Sequence, residues 1–188
     1  MNETGEKIMK VALKLFSEQG YYSTTTKQIA KKAGVNELTV FRHFKNKANL
    51  FQVTTECYVL ESHIDAILDG TNELCFEEAM IIITKRIYDL FVLNIKLYKV
   101  QLKLSDNEKD FIKLKLSREL NIILQGYFKK QIEKNQIVGD IEIMAVTLLN
   151  SLLGMFTVDI LTNNTFTNIP MEKVVEEHTK QFITAYKK

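Results

Sequence analysis

The residues best suited to chemistry lie close together near the start of the 188-residue chain, in "TTTKQIAKKAGVNELTVFRHFKNK" from Thr24 to Lys47. Its charged groups are mainly lysines and one arginine. A guanidinium such as that of Arg42 can grip guanine through two parallel hydrogen bonds, and a side chain such as Leu38 can pack on a thymine methyl. Lys27, Lys45 and Lys47 can meet phosphates, which gives affinity without sequence choice. The chemistry on offer is recognition of a nucleic acid.

Little elsewhere competes with it. The chain has no nucleophile elbow, no glycine-rich phosphate loop and no paired histidine ligands. His43, His63 and His178 are far apart, and Cys57 and Cys75 form no Cys-x-x-Cys pair. Cys57 and His63 stand six residues apart on one expected helix and so point to different faces. The expectation is a protein that is not an enzyme and has no cofactor or metal. Its two thiols are expected to be buried and free in a reducing cytoplasm. The opening "MNETGEKIMK" is too polar for a signal peptide.

The elements that position the basic residues follow from local signals. Ile8, Ala12, Leu15 and Phe16 form one apolar stripe, which predicts a helix from Glu6 to Gln19 with Gly20 as its C-terminal cap. Thr25 and Gln28 have the spacing of a capping box, and Ile29, Ala30 and Ala33 share the face of the helix they open. Gly34 supplies a left-handed residue that stops it. Asn36 caps a second short helix running to His43. Two short helices around a tight turn make a helix-turn-helix, with Ala30 allowing the helices to cross and Val35 and Val40 plugging the core. On a wheel of 100° per residue, Val40 and Phe44 point inward together. Leu38, Thr39 and Arg42 point outward, and Phe41 and His43 lie on the flanks. The outward set is what a recognition helix presents to the major groove. Helices are then predicted over 48–63, through Phe76 to Phe91, briefly through "IKLYKVQLKL", from a cap at "SDN" to Asn135, over 141–161, and from Pro170 onward.

Composition agrees with this division. Residues 1–50 carry nine Lys/Arg and four Asp/Glu (9 − 4 = +5), and residues 51–188 carry sixteen and nineteen (16 − 19 = −3). A basic front and an acidic remainder suit a front that meets a polyanion. Residues 141–161 are the most apolar long stretch. They contain Glu142, Asn150, Ser151 and Asp159, which suits a buried helix better than a membrane span, so no membrane partner is expected.

The stretch "ALKLFSEQGYYSTTTKQIAKKAGVNELTVFRHFKNKANLF" resembles the TetR family of bacterial transcription regulators over about residues 6–51. The matching positions are Phe16, Gly20, Tyr21, Thr24, Thr25, Ile29, Ala30, Ala33, Gly34, Val35, Phe41, His43, Phe44, Lys47 and Leu50. Asn36 stands where the family usually has Ser or Thr, and Phe41 where it usually has Tyr. The resemblance implies an all-α fold: a three-helix helix-turn-helix DNA-binding domain over residues 1–47, and a larger helical ligand-binding and dimerisation domain over 48–188. It also implies a cytoplasmic homodimer on a pseudo-palindromic double-stranded operator, released by a small molecule. A regulator without a ligand, or an activator, stays open.

The expected DNA-binding residues are Thr25, Lys27, Asn36, Glu37, Leu38, Thr39, Phe41, Arg42, His43 and Lys47. A ligand pocket is expected among the middle helices, lined by Tyr58, Met80, Tyr88, Phe91, Tyr98, Phe111, Tyr127 and Met144. The dimer face is expected on the last two helices, at Leu148, Leu152, Met155, Phe156, Val175 and Phe182. Asp159, a carboxylate within an apolar helix, is given no role.

Overall fold

The structure, a computed structural model, describes residues 2–60, 64–102, 115–163 and 165–188. Among the described residues it holds nine α-helices, one short 3-10 helix and no strand. The helices are α1 Glu3–Gln19, α2 Thr26–Ala33, α3 Glu37–Phe44, α4 Lys47–Leu60, α5 Phe76–Leu93, α6 Ile95–Leu102, α7 Lys115–Glu133, α8 Ile141–Leu161 and α9 Met171–Tyr186, with the 3-10 turn at Ile64–Leu68. The all-α expectation holds. The cap expected at "SDN" lies outside the described residues.

Two compact units divide these elements. The first contains α1–α4 together with α6. Helix α1 begins three residues earlier than its apolar stripe requires, because the Asn2 side chain accepts from the Gly5 N–H at 3.0 Å and caps it. Ile8, Ala12, Leu15 and Phe16 are buried as the stripe requires, and Ile29, Ala30, Ala33, Val40, Phe44, Leu50 and Phe51 close over them. Leu97 and Val100 of α6 join the same core. This unit therefore does not coincide with a division at residue 47, since α4 and α6 both pack on α1.

The second unit contains the 3-10 turn, α5, α7, α8 and α9. Helix α5 packs on α8 and α9, and α7 packs on α8. Asp140 caps α8 by accepting from the Ile143 N–H at 2.9 Å. The end of the chain closes this unit through an antiparallel bridge between Ile137 and Lys187. There Val138 N–H donates to the Tyr186 carbonyl at 2.9 Å, and Lys188 N–H to that of Gln136 at 3.1 Å. Gly139 is needed at this closure. Its φ is +153°, and a Cβ would come within 2.9 Å of Met144 Sδ and of the Tyr186 ring.

Helix α8 differs from its expected use. Leu148, Leu152 and Phe156 are buried in the unit's own core, as are Val175 and Phe182 of α9. Five of the six expected dimer residues are thus consumed within one protomer, and only Met155 stays half-exposed. Burying an aliphatic or aromatic side chain of this size stabilises by about 1.5–3 kcal/mol, which α5, α7 and α9 already supply here. The exposed side of α8 carries a different stripe, Ile143, Val146, Asn150, Leu153, Gly154, Thr157 and Leu161. Ile143 is 60% exposed and Leu161 66%. By length and composition alone α8 could cross a membrane. Its fully buried side chains are instead matched by helices of its own unit.

Candidate nucleic-acid interface

The interface is built by three tight turns. The first opens α2: the Thr25 side chain accepts from the Gln28 N–H at 3.2 Å, and Gln28 Oε1 accepts from the Thr25 N–H at 2.8 Å. This is the capping box read from the sequence. The second turn ends α2 at Gly34, with φ 67° and ψ 34°. Gly34 N–H reaches back to the Lys31 carbonyl at 3.3 Å and Val35 N–H to that of Ala30 at 3.0 Å, the paired bonds of a Schellman motif. Asn36 then starts α3, its side chain accepting from the Leu38 N–H at 2.9 Å.

The third turn joins α3 to α4. Lys45 has φ 62° and ψ −45°, and Asn46 N–H donates to the Phe44 carbonyl at 2.7 Å, a γ-turn with positive φ. Asn46 caps α4 by accepting from the Asn49 N–H at 2.7 Å, while Asn49 Nδ2 donates back to the Phe44 carbonyl at 2.9 Å. The two short helices are therefore fixed at both ends by local hydrogen bonds.

Helix α3 buries Val40 and Phe44 and turns Leu38, Phe41 and Arg42 outward. Leu38 is 74% exposed and Phe41 43%. Phe41 thus belongs to the outward face rather than the flank, and Thr39 and His43 are half-buried beside it. An exposed leucine and phenylalanine flanking an arginine form a surface able to touch thymine methyls and guanine acceptors. Thr25 and Lys27 are exposed at the start of α2, and Asn36 at the start of α3. Glu37 is half-buried and accepts from Thr26 Oγ1 at 2.7 Å. That bond links the first residues of α2 and α3, eleven positions apart. Sequence periodicity carries no signal for it.

Lys47 is placed differently from its expected phosphate contact. Its Nζ donates to the carbonyls of Tyr21 at 3.0 Å and Thr24 at 3.1 Å, and lies 4.2 Å from the centre of the Tyr21 ring. Tyr21 itself packs against Phe16 and Phe51, with centroids 5.6 and 4.9 Å away. The ammonium ties the loop before α2 to the first turn of α4, giving a donor to the Thr24 carbonyl and a second one to that of Tyr21, which also accepts from the Thr24 N–H at 3.3 Å.

The expected ligand residues fall into separate places. Met80, Tyr88, Phe91, Tyr127 and Met144 are buried in the second unit. Tyr88 and Phe91 pack on Phe156, with centroids 6.1 and 5.7 Å away. Tyr98 is half-buried on α6, in the other unit. Tyr58 lies on α4 but its side chain, like all of Phe111, is outside the described residues. Two surface depressions of the second unit, of about 640 and 450 Å³, are lined by other residues. Burial, and after it the Asp159 carboxylate, pushes the Tyr88 hydroxyl up to about 12. Burial likewise raises the Tyr127 phenol, whose hydroxyl meets no hydrogen-bonding partner among the described residues. Neither cysteine is the buried thiol expected: Cys57 is half-buried and Cys75 exposed. Among the described residues no group of three or more His, Cys, Asp or Glu could hold a metal ion.

Comparison with known proteins agrees with this geometry. The family model described as bacterial regulatory proteins, tetR family, matches residues 8–54, which span α2, α3 and their supports. The HTH-type transcriptional regulator YvkB of Bacillus subtilis is 28% identical, over 97% of both chains. The negative transcriptional regulator of the biofilm operon icaADBC, IcaR of Staphylococcus epidermidis, is 31% identical over 50% of each chain. The transcriptional regulator FadR of Bacillus subtilis, solved in complex with stearoyl-CoA, shares the fold. Its TM-score is 0.76 at 17% identity, over 95% of this chain and 97% of that one. Residues 8–54 thus match the DNA-binding region of the TetR family of bacterial regulatory proteins, and over its full length the chain is similar to a regulator of the helix-turn-helix type.

Proposed function

We propose that this regulator is a homodimeric repressor that reads a pseudo-palindromic operator through α3 and leaves it when a small molecule binds. The observation that carries the reading is the outward face of α3, where Leu38, Phe41 and Arg42 stand exposed on a helix capped at both ends. A helix held this firmly presents its side chains to a groove without further ordering cost. Residues 1–47 are assigned to DNA binding and 48–188 to ligand binding and dimerisation. Thr25, Lys27, Asn36, Thr39 and His43 border the reading face and are assigned to backbone contacts.

For the dimer, the exposed stripe of α8 from Ile143 to Leu161 replaces the buried residues read from the sequence. Symmetric pairing of such a stripe is the commonest oligomer geometry. Repression is supported by the name of the staphylococcal relative, a negative regulator. Ligand response is supported by the stearoyl-CoA complex of the structural neighbour and by the orphaned Tyr127 hydroxyl. A buried polar atom without a partner is costly, and a ligand hydrogen bond would satisfy it.

The test is fluorescence anisotropy of the full chain on a selected duplex and on an unrelated one across a salt series. The reading requires tighter binding to the selected duplex by about 10³-fold or more at physiological salt. Equal affinity for both duplexes would remove operator recognition and leave only a basic protein.

A further inference from the structure

Residues 24–47 contain six Lys/Arg and a single carboxylate, Glu37, at the first position of the recognition helix. A negative charge on a face that meets phosphates opposes binding, so its presence there requires a use. No ion pair among the described residues includes Glu37; its hydrogen-bonding partner is the Thr26 hydroxyl, 2.7 Å from Oε1. That bond holds one carboxylate oxygen, Oε1, of a half-buried side chain at the first residue of α3, next in sequence to the exposed Leu38.

Resting on the operator-reading function above, we propose that Glu37 is a specificity-determining residue that selects cytosine at one position of each half-site. In the major groove cytosine offers only the N4 amino donor, whereas guanine offers N7 and O6 acceptors and thymine the O4 acceptor. Adenine offers a donor at N6, but its neighbouring N7 is an acceptor that repels a carboxylate. A fixed carboxylate therefore accepts from cytosine and rejects the other three bases. Thr26 is its positioning residue. Its hydroxyl holds one carboxylate oxygen before DNA arrives, so that less conformational freedom is lost on binding.

Selection from a random duplex library with the full-length protein, followed by anisotropy titrations on single-base variants, tests this. The wild type is expected to enrich cytosine at one symmetric position, with roughly a tenfold loss for any other base there. Glu37→Gln keeps the acceptor for Thr26 and gains an amide donor. It should move the preferred base at that position from cytosine to adenine and leave the others unchanged. Glu37→Ala should lose preference there while binding unrelated DNA more tightly. Thr26→Val should weaken the cytosine preference without changing its identity. A merely structural Glu37 would change stability or overall affinity but not the base selected. If Glu37→Gln selects the same base as the wild type at every position, the proposal is overturned. A wild type that selects no motif overturns operator reading itself, and this assignment with it.

Discussion

Replacing Lys47 by Met removes one ammonium while keeping the length and apolar stem of the side chain. The structure sets the size of the effect. Two carbonyls, of Tyr21 and Thr24, lose a charged donor at 3.0 and 3.1 Å, and the Tyr21 ring loses a cation at 4.2 Å. Hydrogen bonds to charged groups contribute about 1.5–3 kcal/mol each, and an exposed cation–π contact about 0.5–1 kcal/mol. Lys47 is half-buried, so water can re-solvate part of what is lost. A net destabilisation of about 2 kcal/mol follows. Urea unfolding followed by far-UV circular dichroism measures it through the midpoint at unchanged slope. Lys27→Met is the matched control: Lys27 is exposed, so its loss should change stability by less than about 0.5 kcal/mol. It should instead lower the salt slope of DNA binding by roughly one unit, as one phosphate contact does. A Lys47→Met loss below about 0.5 kcal/mol, no larger than that of the control, would refute the clamp.

Two further expectations concern the second unit. Val146→Glu places a charge on the exposed stripe of α8 and should give a folded monomer by light scattering at micromolar concentration. Leu152→Glu, in the core, should unfold the unit instead; a persistent dimer in Val146→Glu counts against the stripe. Burial lowers the pKa of His178, so the unfolded chain takes up a proton at a higher pH than the folded one. Between the lowered folded value and the usual unfolded value of about 6.5, stability rises with pH, and above that range the histidine has no effect. Stability should therefore fall on acidification below about pH 6.5, by less in His178→Gln than in the wild type. Parallel curves for the two proteins would show that His178 takes no part.

The parts legible in the sequence were those set by local hydrogen bonding. Thr25 and Gln28, Gly34 and Asn36 all lie within a few residues of the groups they cap, so their types announce the helix ends. The stripe of α1 was legible for a related reason, since only one side of that helix is apolar. Helix α8 is apolar nearly all round, so periodicity could not say which side its own unit would cover, and the dimer residues were drawn from the buried side. Lys47 and Glu37 were both read as DNA-binding residues, and their partners within the fold were not legible because they lie 26, 23 and 11 residues away. The packing of α6 on α1 was invisible for the same reason. Such contacts are created by the fold and leave no trace in spacing.

The central claim is that two copies of α3 read successive major grooves. Selection of duplexes by the wild-type protein, repeated with Arg42→Ala, measures it directly. The account predicts a two-fold symmetric motif whose half-sites are centred one helical turn or a multiple apart, 34–36 Å or about 10 base pairs per turn. It also predicts that Arg42→Ala loses one guanine preference in each half, at a cost of about 1–3 kcal/mol. An enriched motif without symmetry, or one identical in the Arg42→Ala protein, would contradict it.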